Sequence, residues 1–289
     1  MIEYTNRVLV LGASGMLGSA LLRYISSTDG FEVFGAARNP GTKRHFCPPV
    51  ADRLLIGHDV CNGDHLLDLF EKVKPDCVIN CVGLVKQLDQ AKDPLSAIPI
   101  NSLLPHRLAN LCRFVNARLI HLSTDCVFSG AKGGYLESDA PDADDVYGRS
   151  KLLGEVGYDH TITLRTSIIG HELDGARSLI NWFLSRQGRT RGYTRAIFSG
   201  LPTVEIAKII VECVIPNPSL HGLYHVSASP ISKYDLLRLV AVEYGKEIEI
   251  DPDDSVAIDR SLDSSRFRQA TGFNPESWPE LIRRMREFG

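Results

Sequence analysis

An apolar strand that runs straight into three evenly spaced glycines constrains this chain most. Val8-Leu9-Val10-Leu11 leads into Gly12-Ala13-Ser14-Gly15-Met16-Leu17-Gly18, and a helical pattern follows over Met16–Ser26. A strand turning on glycine into a helix is a cradle for a pyrophosphate: Gly12 permits the tight turn and Gly15 lets the backbone approach the phosphates. Gly18 lets the helix pack on the strand, and the helix N-terminus offers free N–H groups with a partial positive charge. Ser14, Met16 and Leu17 complete the candidate dinucleotide contact. The spacing is GxxGxxG rather than GxGxxG.

The rhythm after this loop predicts an α/β fold. Apolar runs at Arg7–Leu11, Glu32–Ala36, Arg53–Ile56, Cys77–Asn80, Arg118–Leu122 and Thr161–Arg165 read as strands. Between them Met16–Ser26, Asp64–Val73, Pro105–Val115 and Tyr147–Tyr158 read as helices. Such alternation implies right-handed crossovers and a doubly wound, Rossmann-like parallel sheet covered on both faces. After Arg165 the rhythm changes. Ala176–Arg186 reads as a helix and Gly188–Gly200 as a polar, Gly-rich stretch. Thr203–Ile215 reads as a helix capped by Thr203, Leu223–Val226 as a strand, and Ser232–Tyr244 as a helix with a Ser cap. The tail from Asp251 to Gly289 places Pro252, Pro275 and Pro279 around short helices. The division expected is a nucleotide-binding domain over residues 1–166, to which parts of 203–226 return, and a smaller, partly interleaved α/β substrate domain over 167–289.

Composition removes several function classes. A net charge of −3 with scattered Lys and Arg gives no nucleic-acid footprint. No apolar stretch fits a membrane span, because Ile206–Ile215 is broken by Lys208 and Glu212. The opening residues do not read as a signal peptide. Seven cysteines without paired spacing fit a reducing cytoplasm. No CxxC or HExxH occurs, so no metal is expected.

The chemistry-bearing residues fall where such a sheet would open its crevice. The place about twenty residues beyond Gly18 holds Arg38 instead of the acid that binds the ribose of NAD, so a 2′-phosphate and hence NADP(H) is favoured, with NAD(H) left open. Asp59 and Val60 follow the third strand, where an adenine is held. Cys81-Val82-Gly83 ends the fourth strand and would lie along the cofactor. Tyr147-Gly-Arg-Ser-Lys151 puts a phenol and an ammonium on one helical face. A buried cation there is expected to lower the phenol's pKa and make Tyr147 a general acid for a carbonyl receiving hydride. At the end of the fifth strand stand Ser123 and Thr124; one hydroxyl is expected to cap the loop, and Thr124 to be the catalytic one. Substrate-choosing residues are sought at Thr166–Ile169, Gly192–Arg195 and Gly200–Thr203, with Arg195 as a diphosphate clamp, Tyr193 as a stacking surface and Pro202 beside them.

Together these residues resemble the extended short-chain dehydrogenase/reductase superfamily and, within it, the dTDP-4-dehydrorhamnose reductase branch. The resemblance rests on Gly12–Gly18, Ser123-Thr124-Asp125-Cys126-Val127-Phe128, Tyr147–Lys151 with Gly154-Glu155, Leu164-Arg165-Thr166-Ser167, Gly200-Leu-Pro202-Thr203 and Ser261-Leu262-Asp263. It implies a triad of Thr124, Tyr147 and Lys151 supported by Asn101, with Ser123, Cys126 and Val127 beside the substrate. The implied reaction is reduction of a 4-keto group on a nucleotide-linked 6-deoxyhexose for cell-surface polysaccharide, by a monomer or homodimer. Cys126 stands where the branch usually carries an aromatic residue, and Trp182–Ser199 departs from its pattern, so a dTDP- or a UDP-linked sugar is expected. An epimerase with retained NAD shares the Tyr–Lys pair. A dehydratase needs a second carboxylate after Asp125, which Cys126 replaces. A regulatory subunit that binds nucleotide without turnover would commonly have lost part of the triad.

Overall fold

The computed structural model describes residues 6–86 and 88–289. Chain order opens with β1 (Asn6–Leu11), α1 (Met16–Ser26), β2 (Phe31–Ala37), α2 (Pro48–Ala51), β3 (Leu54–Ile56), α3 (Gly63–Val73), β4 (Cys77–Asn80) and α4 (Pro94–Ala97). It continues with α5 (Leu104–Phe114), β5 (Arg118–Thr124), α6 (Val146–Leu153) and β6 (Thr161–Thr166). Next come β7 (Ile168–Ile169), α7 (Leu179–Ser185), β8 (Arg189–Tyr193), β9 (Ala196–Phe198), β10 (Leu201–Pro202), α8 (Thr203–Ile209) and β11 (Gly222–His225). The last elements are β12 (Ile231–Ser232), α9 (Lys233–Glu243), β13 (Glu249–Asp253), β14 (Ile258–Asp259), α10 (Ser265–Thr271) and α11 (Trp278–Phe288).

Seven strands form one sheet in the order β11-β6-β5-β4-β1-β2-β3, every pair parallel. This is a Rossmann-like α/β sheet. The order reverses at β1, whose neighbours are β2 and β4, so a crevice opens beyond the carboxyl ends of β1 and β4. One face packs Leu9, Leu11, Val78 and Leu119 against Leu66 and Phe70 of α3 and Leu104 and Leu108 of α5. The other packs Val8, Val10 and Ile120 against Leu21 and Leu22 of α1, and this core runs on without a break into Phe183, Ile206, Leu236 and Ile282. The elements after β6 thus share a core with the sheet.

Several elements differ from the sequence reading. The α6 helix stops at Leu153 rather than Tyr158, because the chain must turn inwards at Gly154. A Cβ on Gly154 would lie 1.9 Å from the Asn101 carbonyl oxygen, and beyond it Val156 N–H donates to Thr163 Oγ1 (3.1 Å). Thr203 is not a cap: Pro202 occupies the cap position and Thr203 is buried as the first helical residue. That helix continues as a π-turn over Ile210–Val214. The 188–200 stretch is strand in two places: β8 pairs with β13, and β9 lies between β12 and β14. Pro252 sits inside the strand β13 rather than beside a short helix. Ser232 caps α9 as expected, accepting from Asp235 N–H (3.0 Å). Replacing Gly154 by Ala should lower stability to urea by about 1–3 kcal/mol, the usual cost of overpacking, measured as a shift in the unfolding midpoint.

Candidate active site

The glycine loop has the form its sequence calls for. Gly12 has φ of +81°, which admits glycine at no steric cost. A Cβ on Gly18 would stand 2.1 Å from Gly12 O, so only glycine lets α1 approach the turn this closely. Gly15 is the cap residue of α1, and no side chain caps it. The first N–H groups of the helix therefore face outwards as anion donors. Ser14 and Gly15 are exposed, Met16 is half-buried and Leu17 is buried beneath them.

The rest of the crevice edge is held by buried polar bonds. Val82 N–H donates to Asn80 Oδ1 (3.1 Å), and Leu84 N–H to Asn101 Oδ1 (2.9 Å). Asn101 is fully buried in a π-turn over Ile98–Leu103, and its Nδ2 donates to Ser150 Oγ (3.1 Å). Its amide is thereby engaged by the protein and shapes the site by stapling the loop after β4 to α6. Gly83 lies between Asn101 and Lys151; a Cβ there would be 3.5 Å from Asn101 Oδ1 and 3.8 Å from Lys151 Nζ. Half-buried Cys81 joins the sheet edge through Leu11 O (3.1 Å), and burial raises its thiol to about 12. Arg38 is exposed just beyond β2, with no side-chain partner among the described residues. Asp59 Oδ1 accepts from Cys61 N–H (3.0 Å), so this carboxylate holds its own turn, with half-buried Val60 beside it.

The structure brings Thr124, Tyr147 and Lys151 together at the end of β5. Lys151 is buried and its Nζ donates to Leu122 O (2.7 Å). Burial lowers its pKa to about 8, with Glu155 and then Cys81 acting in the opposite sense. Thr124 donates to Asp125 Oδ1 (3.1 Å) and accepts from Cys126 N–H (3.1 Å), and its hydroxyl lies near enough to the Tyr147 phenol to pull that group's pKa down. Burial of Asp125 pushes its carboxyl up, against the pull of Thr124 and of Arg260.

Two expectations need correction here. The phenol is not lowered: burial pushes Tyr147 well above the ordinary tyrosine value, Cys126 adds to this, and Thr124 offsets only part. The phenol keeps its proton, which is the form a general acid needs. The division of hydroxyl roles is also different. Thr124 caps the short turn Asp125–Val127, whereas Ser123 donates to Glu155 Oε1 (2.7 Å) and faces away from the phenol's partners.

At the substrate edge, Cys126 is half-buried beside Tyr147, with its thiol raised to about 12 by burial. Val127 is not a wall residue: it is fully buried with Phe128, Tyr135 and Leu262 in a small core of its own. The segments after β6 and before α8 zip together, since β7 pairs with β10 and Pro202 lies buried opposite Ile169. Half-buried Tyr193 ends β8 opposite Asp253. Arg195 is exposed; its backbone oxygen accepts from Ile258 N–H (3.0 Å) at the start of β14.

The sequence reading missed Arg260. It follows β14 directly, its Nε donates to Phe128 O (2.7 Å), and its charge bears on Asp125, Cys126, Asp142 and Asp145. Lys233, at the start of α9, also bears on Asp125, and Lys86 pairs with Asp145 (2.6 Å), the cap of α6. The available signal for Arg260 was its place immediately before Ser261-Leu262-Asp263.

Known proteins resemble this chain in sequence and in fold. Along 96% of both chains this protein is 29% identical to the spore coat polysaccharide biosynthesis protein SpsK of Bacillus subtilis. It is 25% identical to a dTDP-4-dehydrorhamnose reductase of Aggregatibacter actinomycetemcomitans, over 98% of this chain and 99% of that one. A crystal structure of dTDP-4-dehydrorhamnose reductase from Bacillus anthracis in complex with NADP superposes with a TM-score of 0.78 at 20% identity, covering 98% of this chain and 99% of the other. Residues 6–287 match the family described as the RmlD substrate binding domain. With the glycine loop, the parallel sheet and the Thr–Tyr–Lys cluster in place, the chain belongs to the RmlD substrate-binding-domain family, on an extended short-chain dehydrogenase/reductase fold.

Proposed function

We propose that this protein is an NADPH-dependent reductase of a nucleotide-linked 4-keto-6-deoxyhexose, serving synthesis of a cell-surface polysaccharide. The observation that carries the reading is that Tyr147 and Lys151 lie one turn apart on α6, with the buried Lys151 Nζ held on the end of β5 beside Gly83 and Thr124 next to the phenol. The bare N-terminus of α1 and the close Gly12–Gly18 approach fit a pyrophosphate, and the unpartnered Arg38 fits a 2′-phosphate. NADPH, when bound, supplies the hydride. Tyr147 gives its phenolic proton to the carbonyl oxygen, Thr124 orients that oxygen, and the Lys151 ammonium stabilises the phenolate left behind. Asn101 keeps the loop after β4 and α6 in register. Arg195 and Arg260 stand at the same rim through β14 and fit a diphosphate. Consumption of NADPH with a panel of dTDP- and UDP-linked 4-keto sugars tests the reading; no turnover on any of them would overturn it.

Three variants refine it. Tyr147→Phe should lower kcat by about 10²–10⁴-fold with NADPH affinity nearly unchanged; wild-type turnover in a chemistry-limited assay refutes the acid role. Arg38→Ala should weaken NADPH binding by roughly 1.5–3 kcal/mol and leave NADH binding alone, measured by fluorescence titration; equal losses make Arg38 structural. Arg195→Ala and Arg260→Ala should each raise the KM for the sugar nucleotide at least tenfold, about 1.4 kcal/mol, without changing that for NADPH. Calorimetric titration of the nucleoside diphosphate decides between the two: the variant with unchanged affinity does not hold the diphosphate.

A further inference from the structure

Below the triad lies a buried ionic cluster that the proposed chemistry does not use. Glu155 accepts three hydrogen bonds of 2.7 Å each: Oε1 takes Ser123 Oγ–H and Arg165 Nε–H, and Oε2 takes Arg165 Nη2–H. The pair is almost out of solvent, with side-chain exposures of 3% for Arg165 and 11% for Glu155. Behind it, Arg165 Nη1 lies 3.3 Å from His225 Nε2, and its guanidinium sits over the Phe128 ring at 5.2 Å. A buried pair of this kind gains little stability over apolar residues, which directs attention to what it does locally.

Its surroundings answer that. Leu122, Ser123 and Thr124 are consecutive residues at the end of β5. Lys151 holds the Leu122 carbonyl, Glu155 holds the Ser123 hydroxyl, and Thr124 faces Tyr147. Lys151 and Glu155 therefore grip adjacent residues of one strand from the two sides of the Gly154 turn. We infer that Glu155 is a positioning residue for this site: clamped by Arg165 and tied to Ser123, its carboxylate is the counter-charge that holds the buried Lys151 ammonium against the end of β5. The inference rests on the reductase reading for its catalytic consequence.

The groups facing each partner are few. Lys151 meets His121 from β5, Cys81 from the loop after β4, and Glu155 beyond its own helix. Glu155 meets Ser123 from β5 and Arg165 from β6, with His225 of β11 behind the guanidinium and Glu137 bound to the His225 N–H (2.8 Å). His121 is fully buried with its pKa driven well down, so it stays neutral, and Cys81 is raised to about 12. At neutral pH the one anion bearing on Lys151 in this set is Glu155.

The test titrates Lys151 directly, by NMR of protein carrying ¹³C-lysine, with Lys151→Arg identifying the resonance. The wild-type midpoint should lie near 8. In Glu155→Gln, which keeps the shape and loses the charge, it should fall by about one unit, as expected when an opposite charge is removed. The alkaline limb of NADPH turnover should move down with it. An unchanged midpoint overturns the inference. If the stranded guanidinium prevents Glu155→Gln from folding, the Glu155→Gln/Arg165→Met variant removes both charges; its midpoint should still fall, but by less, because the repulsion between guanidinium and ammonium goes as well. Ser123→Ala keeps the charges and removes only the tether, so its midpoint should stay near the wild-type value; a fall as large as that of Glu155→Gln would make the effect structural and overturn the inference. The titration needs no substrate: a shifted midpoint in a protein inactive on every sugar nucleotide sinks the reductase reading alone, and an unshifted one in an active enzyme sinks this inference alone.

Discussion

The distance between α6 and the end of β5 governs the geometry of the site, and two glycines set it. A Cβ on Gly148 would lie 2.3 Å from the Cys126 carbonyl oxygen, and one on Gly154 would lie 1.9 Å from that of Asn101. Both contacts are with backbone, which cannot rotate out of the way. The helix is thus seated at both ends, and Lys151, between them, reaches the Leu122 carbonyl at 2.7 Å. Any residue larger than glycine at either end would lift α6 from the sheet and take the ammonium out of reach of the strand. The Asp145 cap, which accepts from Gly148 N–H (2.7 Å), and the staple of Asn101 to Ser150 then fix the rotation of the helix about its axis.

Once α6 is seated, burial does the electrical work. The same dehydration that drives the Tyr147 phenol up brings the Lys151 ammonium down. Dehydration thus holds the proton on the phenol and loosens the one on the ammonium, an effect that the Glu155 carboxylate opposes. The charge around them is laid out in tiers. Beneath the triad the single carboxylate of Glu155 stands between two buried cations, Arg165 and Lys151. At the rim Arg260, Lys233 and Lys86 stand among Asp125, Asp142 and Asp145.

Much of this was legible in the chain, for a physical reason that also marks the failures. β1, β4 and α1 are long apolar patterns ended by glycine or by a polar turn, and local sequence encodes them fully. The β8 and β13 ribbon was missed because Arg189-Thr-Arg-Gly-Tyr buries neither face as a strand should; Arg189 and Arg191 instead face the acids of β13. The end of α6 was placed too late because Val156 continues the helical apolar pattern. Its partner is Thr163 of β6, a contact across the sheet that no local pattern shows. The hydroxyls of Ser123 and Thr124 were flagged from their residue types at a strand end, and Cys126 as a departure within the family resemblance. The assignment of the cap to Thr124 depends on the direction in which each side chain leaves β5, and a one-residue alternation decides it. Arg260 carried no periodic signal, since its role depends on β14 lying beside β9.

The strand β11 has a consequence for how such a chain is made. It closes the sheet beside β6, yet it follows α7, α8 and four short strands in the chain. During synthesis from the N-terminus, Thr161–Thr166 emerges as an open edge, with its outer row of amides and carbonyls unpaired. That edge waits until Gly222–His225 has left the ribosome. An uncovered strand of this kind is a template for pairing with other chains, and non-local parallel pairing is slow to form. The alternating Thr161, Thr163 and Arg165 on this strand make it a poor one. Two β-branched hydroxyls and a charge face what later becomes interior, so a neighbouring nascent chain gains little by docking there.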